Sequence, residues 1–130
     1  MREILFRGKT DKGEWVYGSP IFQDGYVLIR FWNSEEFEFE EYLVIPDAIG
    51  QYTGLTDKNG TKIFEGDIVQ HDFGAEQIGV QYAVVKYNSK YASFMIEPLY
   101  DWMYCDKNDC EVIGNIHDNS ELLGGDQNAR

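Results

Sequence analysis

Short apolar runs, broken by glycine and polar clusters, recur along the whole chain, and in several of them the apolar positions fall on every second residue. That period belongs to extended backbone, whose side chains point alternately to two faces. Residues 2–7 alternate around Ile4 and Phe6, residues 8–13 read as a turn, and Trp15-Val16-Tyr17-Gly18 resumes the extended pattern, so 2–18 predicts a first hairpin. Ser19-Pro20 is expected to end that strand or place it at an edge, because proline cannot donate to a ladder. After a turn signal at Gln23-Asp24-Gly25, the run Tyr26 to Trp32 is apolar apart from Arg30 and predicts a strand buried on both faces. Past a polar break at residues 33–36, Phe37 and Phe39, with Tyr42 as a candidate third, alternate with Glu36, Glu38 and Glu40, which predicts aromatics on one face and carboxylates on the other. Pro46 to Gly50 suits one helical turn, with proline at its start and glycine at its stop.

The stretch Gln51 to Gln70 is the most strongly specified. Asp57-Lys58-Asn59-Gly60 lies between two segments able to pair, and Asn-Gly favours a tight hairpin because both residues tolerate positive φ. A second turn at Glu65-Gly66-Asp67 opens into β-branched Ile68-Val69. The stretch therefore predicts strand, turn, short strand, glycine turn and strand, with Gly54, Asp57, Asn59, Gly60, Gly66 and Asp67 as its turn-forming set. Beyond it, residues 71–79 read as a loop, 80–87 and 91–97 as strands joined through Asn88-Ser89-Lys90, and 112–116 as a last strand. Leu99 to Tyr104 fits a strand or a short helix, Cys105 to Glu111 a polar loop, and residues 119–123 a capped terminal turn. The composition after Gly124 predicts a frayed tail over 124–130. About nine short strands with no long amphipathic helix indicate a mainly β protein, either a small barrel-like or a two-part antiparallel fold, with only short helical turns. One domain over 1–123 is expected; an internal division, if there is one, falls near 46–50.

Composition narrows the functional classes more than the fold. The 130 residues carry 11 basic against 23 acidic side chains, a net charge of -12. A negative field of that size repels duplex nucleic acid and anionic membranes, and no basic cluster denser than Arg2, Arg7, Lys9 and Lys12 offsets it. The opening apolar run is too short for a signal segment or membrane span, so a cytoplasmic protein is expected. Aromatic residues reach 15%, which disfavours disorder despite the charge.

Three groups of residues carry a family likeness. Arg2-Glu3-Ile4-Leu5-Phe6-Arg7-Gly8-Lys9 with Gly13-Glu14-Trp15-Val16-Tyr17-Gly18 resembles the start of the YopX family. Residues 49–55, 57–60 and 63–69 are similar to its central signature, and Val112-Ile113-Gly114-Asn115-Ile116 with Glu121-Leu122-Leu123 resembles its ending. The resemblance implies a small β-rich protein carried by bacteriophages and prophages and made in the bacterial host cytoplasm. It transfers no activity and no catalytic residues. The acidic run at 35–41 and the loop between Cys105 and Cys110 depart from the shared motifs.

No constellation points to an enzyme, a cofactor or a metal. Counting from Asp57, Gly60 falls at the fourth position where a calcium loop needs glycine at the sixth, so a turn is the better reading. Cys105 and Cys110 offer two of the four ligands of a zinc site, without a clear second pair, and free thiols are expected instead. The carboxylates of Glu35, Glu36, Glu38, Glu40 and Glu41 share one solvated setting, which does not separate an acid from a base. A solvated face is the plain reading, and a phosphate-like row entering a basic groove the sharper one. The leading expectation is a non-enzymatic phage accessory protein that binds a host or phage protein and self-associates. Its candidate surface is Glu36, Glu38 and Glu40 with Trp102 and Tyr104, an aromatic patch rimmed by carboxylates. A small hydrolase or transferase using Asp57 and Asp67, and a single-strand nucleic-acid barrel with stacking aromatics, are the alternatives.

Overall fold

In the computed structural model, which describes residues 2–72, 80–97, 101–102 and 110–123, the alternating runs become antiparallel strands. In chain order they are β1 (Phe6–Lys9), β2 (Trp15–Gln23), β3 (Tyr26–Asn33), β4 (Glu38–Val44), β5 (Ile49–Thr56), β6 (Lys62–Phe64), β7 (Asp67–Asp72), β8 (Val80–Asn88), β9 (Ser93–Glu97), β10 (Asp101–Trp102) and β11 (Cys110–Asn115). The only helical pieces among the described residues are 3-10 turns at Pro46–Ala48 and Ser120–Leu123. Two compact units are formed by residues 1–52 and 53–130.

One strand order is β4-β3-β2-β1-β5-β6 and the other β10-β9-β8-β7-β11. Among the described residues both orders have two ends and no closing pair, so the two-part antiparallel architecture is the one found and the barrel-like one is not. In the first unit the core is Val27, Ile29 and Val44, with Phe6, Val16 and Ile49 packed against them. In the second it is Ile63, Val69, Ala83, Val85, Ile96 and Cys110, with Val112 alongside. Full burial of such side chains contributes roughly 1.5–3 kcal/mol each.

Two expectations are corrected here and a third is narrowed. β2 runs straight through Pro20 to Gln23, pairing with β1 as far as Gly18 and with β3 from Ser19 onward. Pro20 therefore does not end the strand but stands where β2 keeps a single partner, which is the edge placement of the two expected. The run Tyr26 to Trp32 is buried on one face only: Val27 and Ile29 face the core, while Tyr26, Arg30 and Trp32 are exposed. Cys110 is not a free thiol; it is buried at the start of β11 and disulfide-bonded. Spacing along a sequence does not reveal whether two sulfurs approach within bonding geometry. The loop predicted over 71–79 gives His71 and Asp72 to β7, and the one predicted from Cys105 to Glu111 gives Cys110 and Glu111 to β11; the rest of both, the tail 124–130 and all of Leu99 to Tyr104 except Asp101–Trp102 in β10 lie outside the described residues.

Candidate functional site

The hairpin of β3 and β4 pairs Val27 with Val44, Ile29 with Tyr42, Phe31 with Glu40, Trp32 with Phe39 and Asn33 with Glu38. Period two then assigns two faces. Val27, Ile29, Phe31, Tyr42, Glu40 and Glu38 share the core side. Leu28, Arg30, Trp32, Phe39, Glu41 and Leu43 share the other. The predicted alternation holds only for Phe39 against Glu38 and Glu40, and Phe39 takes the solvent side; aromatics and carboxylates are otherwise mixed on both faces. Phe39 is 56% exposed and Tyr42 lies on the side of Glu40, because Val44 and its partner Val27 claim the buried face for the even positions. Phe37 precedes the strand, in a turn with φ 57, and is 81% exposed. A bulky side chain rarely adopts that backbone region.

The outer face carries an aromatic cluster. Trp32 meets Phe37 edge to face at 5.2 Å between ring centres and Phe39 at 5.0 Å. Arg30 lies 4.0 Å above the centre of the Phe39 ring, and its Nε is 3.8 Å from Glu41. Aromatic pairs of this geometry contribute about 0.5–1.5 kcal/mol each, so the rings hold one another in place while much of their surface faces solvent. The turn that presents them is fastened by Asn33, whose Oδ1 accepts the backbone N–H of Glu35 at 3.0 Å and of Glu36 at 3.1 Å.

The carboxylates of the run do not form a uniform row. Glu40 accepts a hydrogen bond from Asn33 Nδ2 and one of 2.8 Å from the Tyr42 hydroxyl. The Asn33 bond foremost, and then the Tyr42 bond, hold the Glu40 carboxyl below the usual range, while Glu40 raises the Tyr42 hydroxyl. Replacing Tyr42 by Phe removes one of those donors, so the Glu40 carboxyl is expected to titrate at higher pH than in the unaltered chain. A carbon-detected titration of the glutamate carboxyls checks this, and an unchanged midpoint would refute the assignment. At the other end of the hairpin a hollow of about 280 Å³ is lined by Asp11, Gly25, Tyr26, Leu43, Val44, Ile45 and Pro46.

Of the predicted surface, Glu36, Glu38 and Glu40 therefore lie on this hairpin. Tyr104 lies outside the described residues, and Trp102 ends β10, paired with Met95. Arg30 and Trp32 were not singled out by sequence reasoning. The signal was available: Arg30 has the parity of Trp32 and the opposite parity to Ile29, and a charged residue on a strand marks its solvent side.

The central turn has a different role. Asp57, 1% exposed, accepts the N–H of Asn59 and of Thr61 at 2.9 Å each through Oδ1, and that of Val112 at 2.9 Å through Oδ2. Gly60 N–H bonds to the Asp57 carbonyl at 3.0 Å, and Lys58 N–H to that of Cys110 at 3.1 Å. The reversal is thus a four-residue turn opened by Asp57 and closed by Gly60 at φ 82. Asn59 does not share the positive φ that the Asn-Gly pair led us to expect; its N–H is turned to Asp57 instead. Asp67, 2% exposed, accepts the N–H of Phe64 at 2.7 Å. Burial raises the Asp57 carboxyl, but the backbone donors of Val112, Thr61 and Asn59, with the charge of Lys58, outweigh it and hold the group below its ordinary value. Among the described residues, no group of three or more His, Cys, Asp or Glu could hold a metal, and no helix is long and apolar enough to cross a membrane.

Against known proteins, residues 5–124 match the model of the family described as YopX protein. Among solved structures, the crystal structure of protein EF1440 from Enterococcus faecalis is similar: 28% identical, with a TM-score of 0.62, covering 95% of this chain and 99% of that one. No curated protein matches the chain. The match takes in nearly the whole sequence, including the central and final motifs and the opening one from Leu5 onward, and the chain belongs to the YopX family.

Proposed function

We propose that the chain is a non-enzymatic accessory protein that works in the bacterial cytoplasm by binding another protein, and that the outer face of β3 and β4 is where it binds. The observation that carries this reading is the exposed cluster of Trp32, Phe37 and Phe39 around Arg30. Large rings held edge to face supply contact area with little rotamer entropy to lose, and aromatic residues with arginine are the side chains enriched where proteins meet. The phage or prophage setting follows from the family resemblance and agrees with it. Base stacking on the same rings is the less favoured use. It requires a cationic groove, whereas Arg30 beside these rings is paired with Glu41, and the turn next to them carries Glu35 and Glu36.

A photo-crosslinking amino acid at position 43, on the outer face, tests the reading in cells that make the chain. Expected is a discrete protein adduct that disappears when Trp32 and Phe39 are both changed to Ser. The same adducts from a crosslinker at Glu121, or adducts indifferent to the double substitution, would dismiss it.

A further inference from the structure

A strand at the end of a sheet offers one row of backbone N–H and C=O groups to any extended chain that approaches. β4 is such a strand. It heads its sheet order, spans seven residues from Glu38 to Val44, and among the described residues no strand pairs with its far side. The other terminal strands are β6 with three residues, β10 with two and β11 with six, so β4 is the longest edge described.

Edges of this length are usually blunted by charge of either sign, lysine above all. Here the charge is entirely negative. Glu38 and Glu40 stand on one face of β4 and Glu41 on the other, with Glu35 and Glu36 in the turn before them. A second copy of the chain laid along this edge would bring two such sets together, and like charges across a strand pair are destabilising. The same carboxylates favour a cationic strand. The outer positions Phe39 and Leu43, 56% and 58% exposed, leave apolar surface beside that edge for the partner's alternate side chains.

We propose that β4 binds an extended segment of a partner protein in which lysine or arginine alternates with apolar residues, and that this segment joins the sheet as an additional strand. Its cations lie beside Glu38 and Glu40, its apolar side chains beside Phe39 and Leu43, and its main chain bonds to the open edge. Main-chain bonding supplies affinity and the alternate side chains supply choice, as in other cases of strand addition. The charge that disfavours pairing of two copies along this edge thereby admits the partner. This inference rests on the reading of the outer face as the docking surface, and specifies what docks there.

The test uses the full chain labelled with ¹⁵N and a blocked heptapeptide in which lysine alternates with valine. Two controls accompany it: the same peptide with glutamate for lysine, and the lysine peptide N-methylated at every valine, which keeps the charge and removes alternate main-chain donors. Expected for the lysine peptide are shifted amides across residues 38–44 and hydrogen exchange there slowed at least about tenfold at saturation. The glutamate peptide is expected to bind at least about tenfold more weakly, since several cross-strand charge pairs change from attractive to repulsive. Exchanging Glu38, Glu40 and Glu41 together for Lys, with folding verified by the melting curve, is expected to reverse the preference. Equal binding of the plain and N-methylated peptides, or an unchanged preference in the triple variant, would overturn strand addition. Perturbation of the Trp32 indole without protection of β4 would overturn it too, while leaving the outer face as a binding surface. Protection of β4 that grows with protein concentration in the absence of peptide would show the occupant to be a second copy and likewise overturn the proposal.

Discussion

Changing Asp57 to Ala is expected to lower the melting temperature by about 10–20 °C, the larger of the two main effects anticipated for single substitutions. The carboxylate is buried and accepts three backbone N–H groups, from Asn59, Thr61 and Val112. Removing it takes the acceptor from three part-buried bonds, and a hydrogen bond to a charged group contributes about 1.5–3 kcal/mol. Partial relaxation of the turn recovers some of this, so a net loss of about 3–5 kcal/mol is reasonable against the 5–15 kcal/mol of a typical domain. Thermal unfolding followed by circular dichroism measures the shift, and a change under about 3 °C would mean that the carboxylate does not hold the turn to β11. The pH dependence has a definite sign. The native carboxyl lies below its ordinary value, so the unfolded chain binds the proton first on acidification. Its stabilisation is complete above about pH 4, where an unfolded aspartate is ionised, and is lost as pH falls through the lower native value. Asp57→Asn is therefore expected to flatten the acid limb of the melting temperature against pH, besides losing stability at neutral pH.

Gly18→Ala is expected to destabilise the first unit by about 3 kcal/mol, toward the upper end of what overpacking costs. A Cβ at this position would stand 2.2 Å from the Arg30 carbonyl oxygen and 2.9 Å from its carbon. Both are backbone atoms, so the clash cannot be relieved by turning a side chain. It would push apart the very strands, β2 and β3, whose register sets the outer face. Gly25 is the contrasting case. It has open space around its missing side chain and φ of +82, so alanine there meets only left-handed backbone strain of about 1–2 kcal/mol. Chemical denaturation of the two variants should thus separate by roughly 1–2 kcal/mol, with Gly18→Ala the weaker protein. The opposite order would mean that β2 and β3 part more easily than their close backbone approach implies.

Much of the architecture is legible in particular residues. Gly60 and Gly66 stop two strands where only a positive φ continues the chain, and both hold it, at 82° and 92°. The Gln51 to Gln70 pattern unfolds as β5, β6 and β7 in the expected sequence. Asp57 and Asp67 are legible as turn residues, yet not as buried ones, since a carboxylate in a polar loop looks the same whether its acceptors face water or three backbone amides. The acidic run shows the complementary failure. Its period identifies a strand, while the choice of face depends on which parity meets Val27 and Ile29 across the ladder.

By itself, then, the order of residues determined the extended backbone, the places of reversal, the absence of any long helical stripe and the family, because each depends on local spacing or on motifs read directly along the chain. The tertiary structure alone decided that Phe37 and Phe39 stand in solvent beside Trp32, that β4 closes a sheet, and that Asp57 fastens Val112, fifty-five residues away. Alternation is symmetric between two faces, and only a packed partner on one of them makes that face the inside.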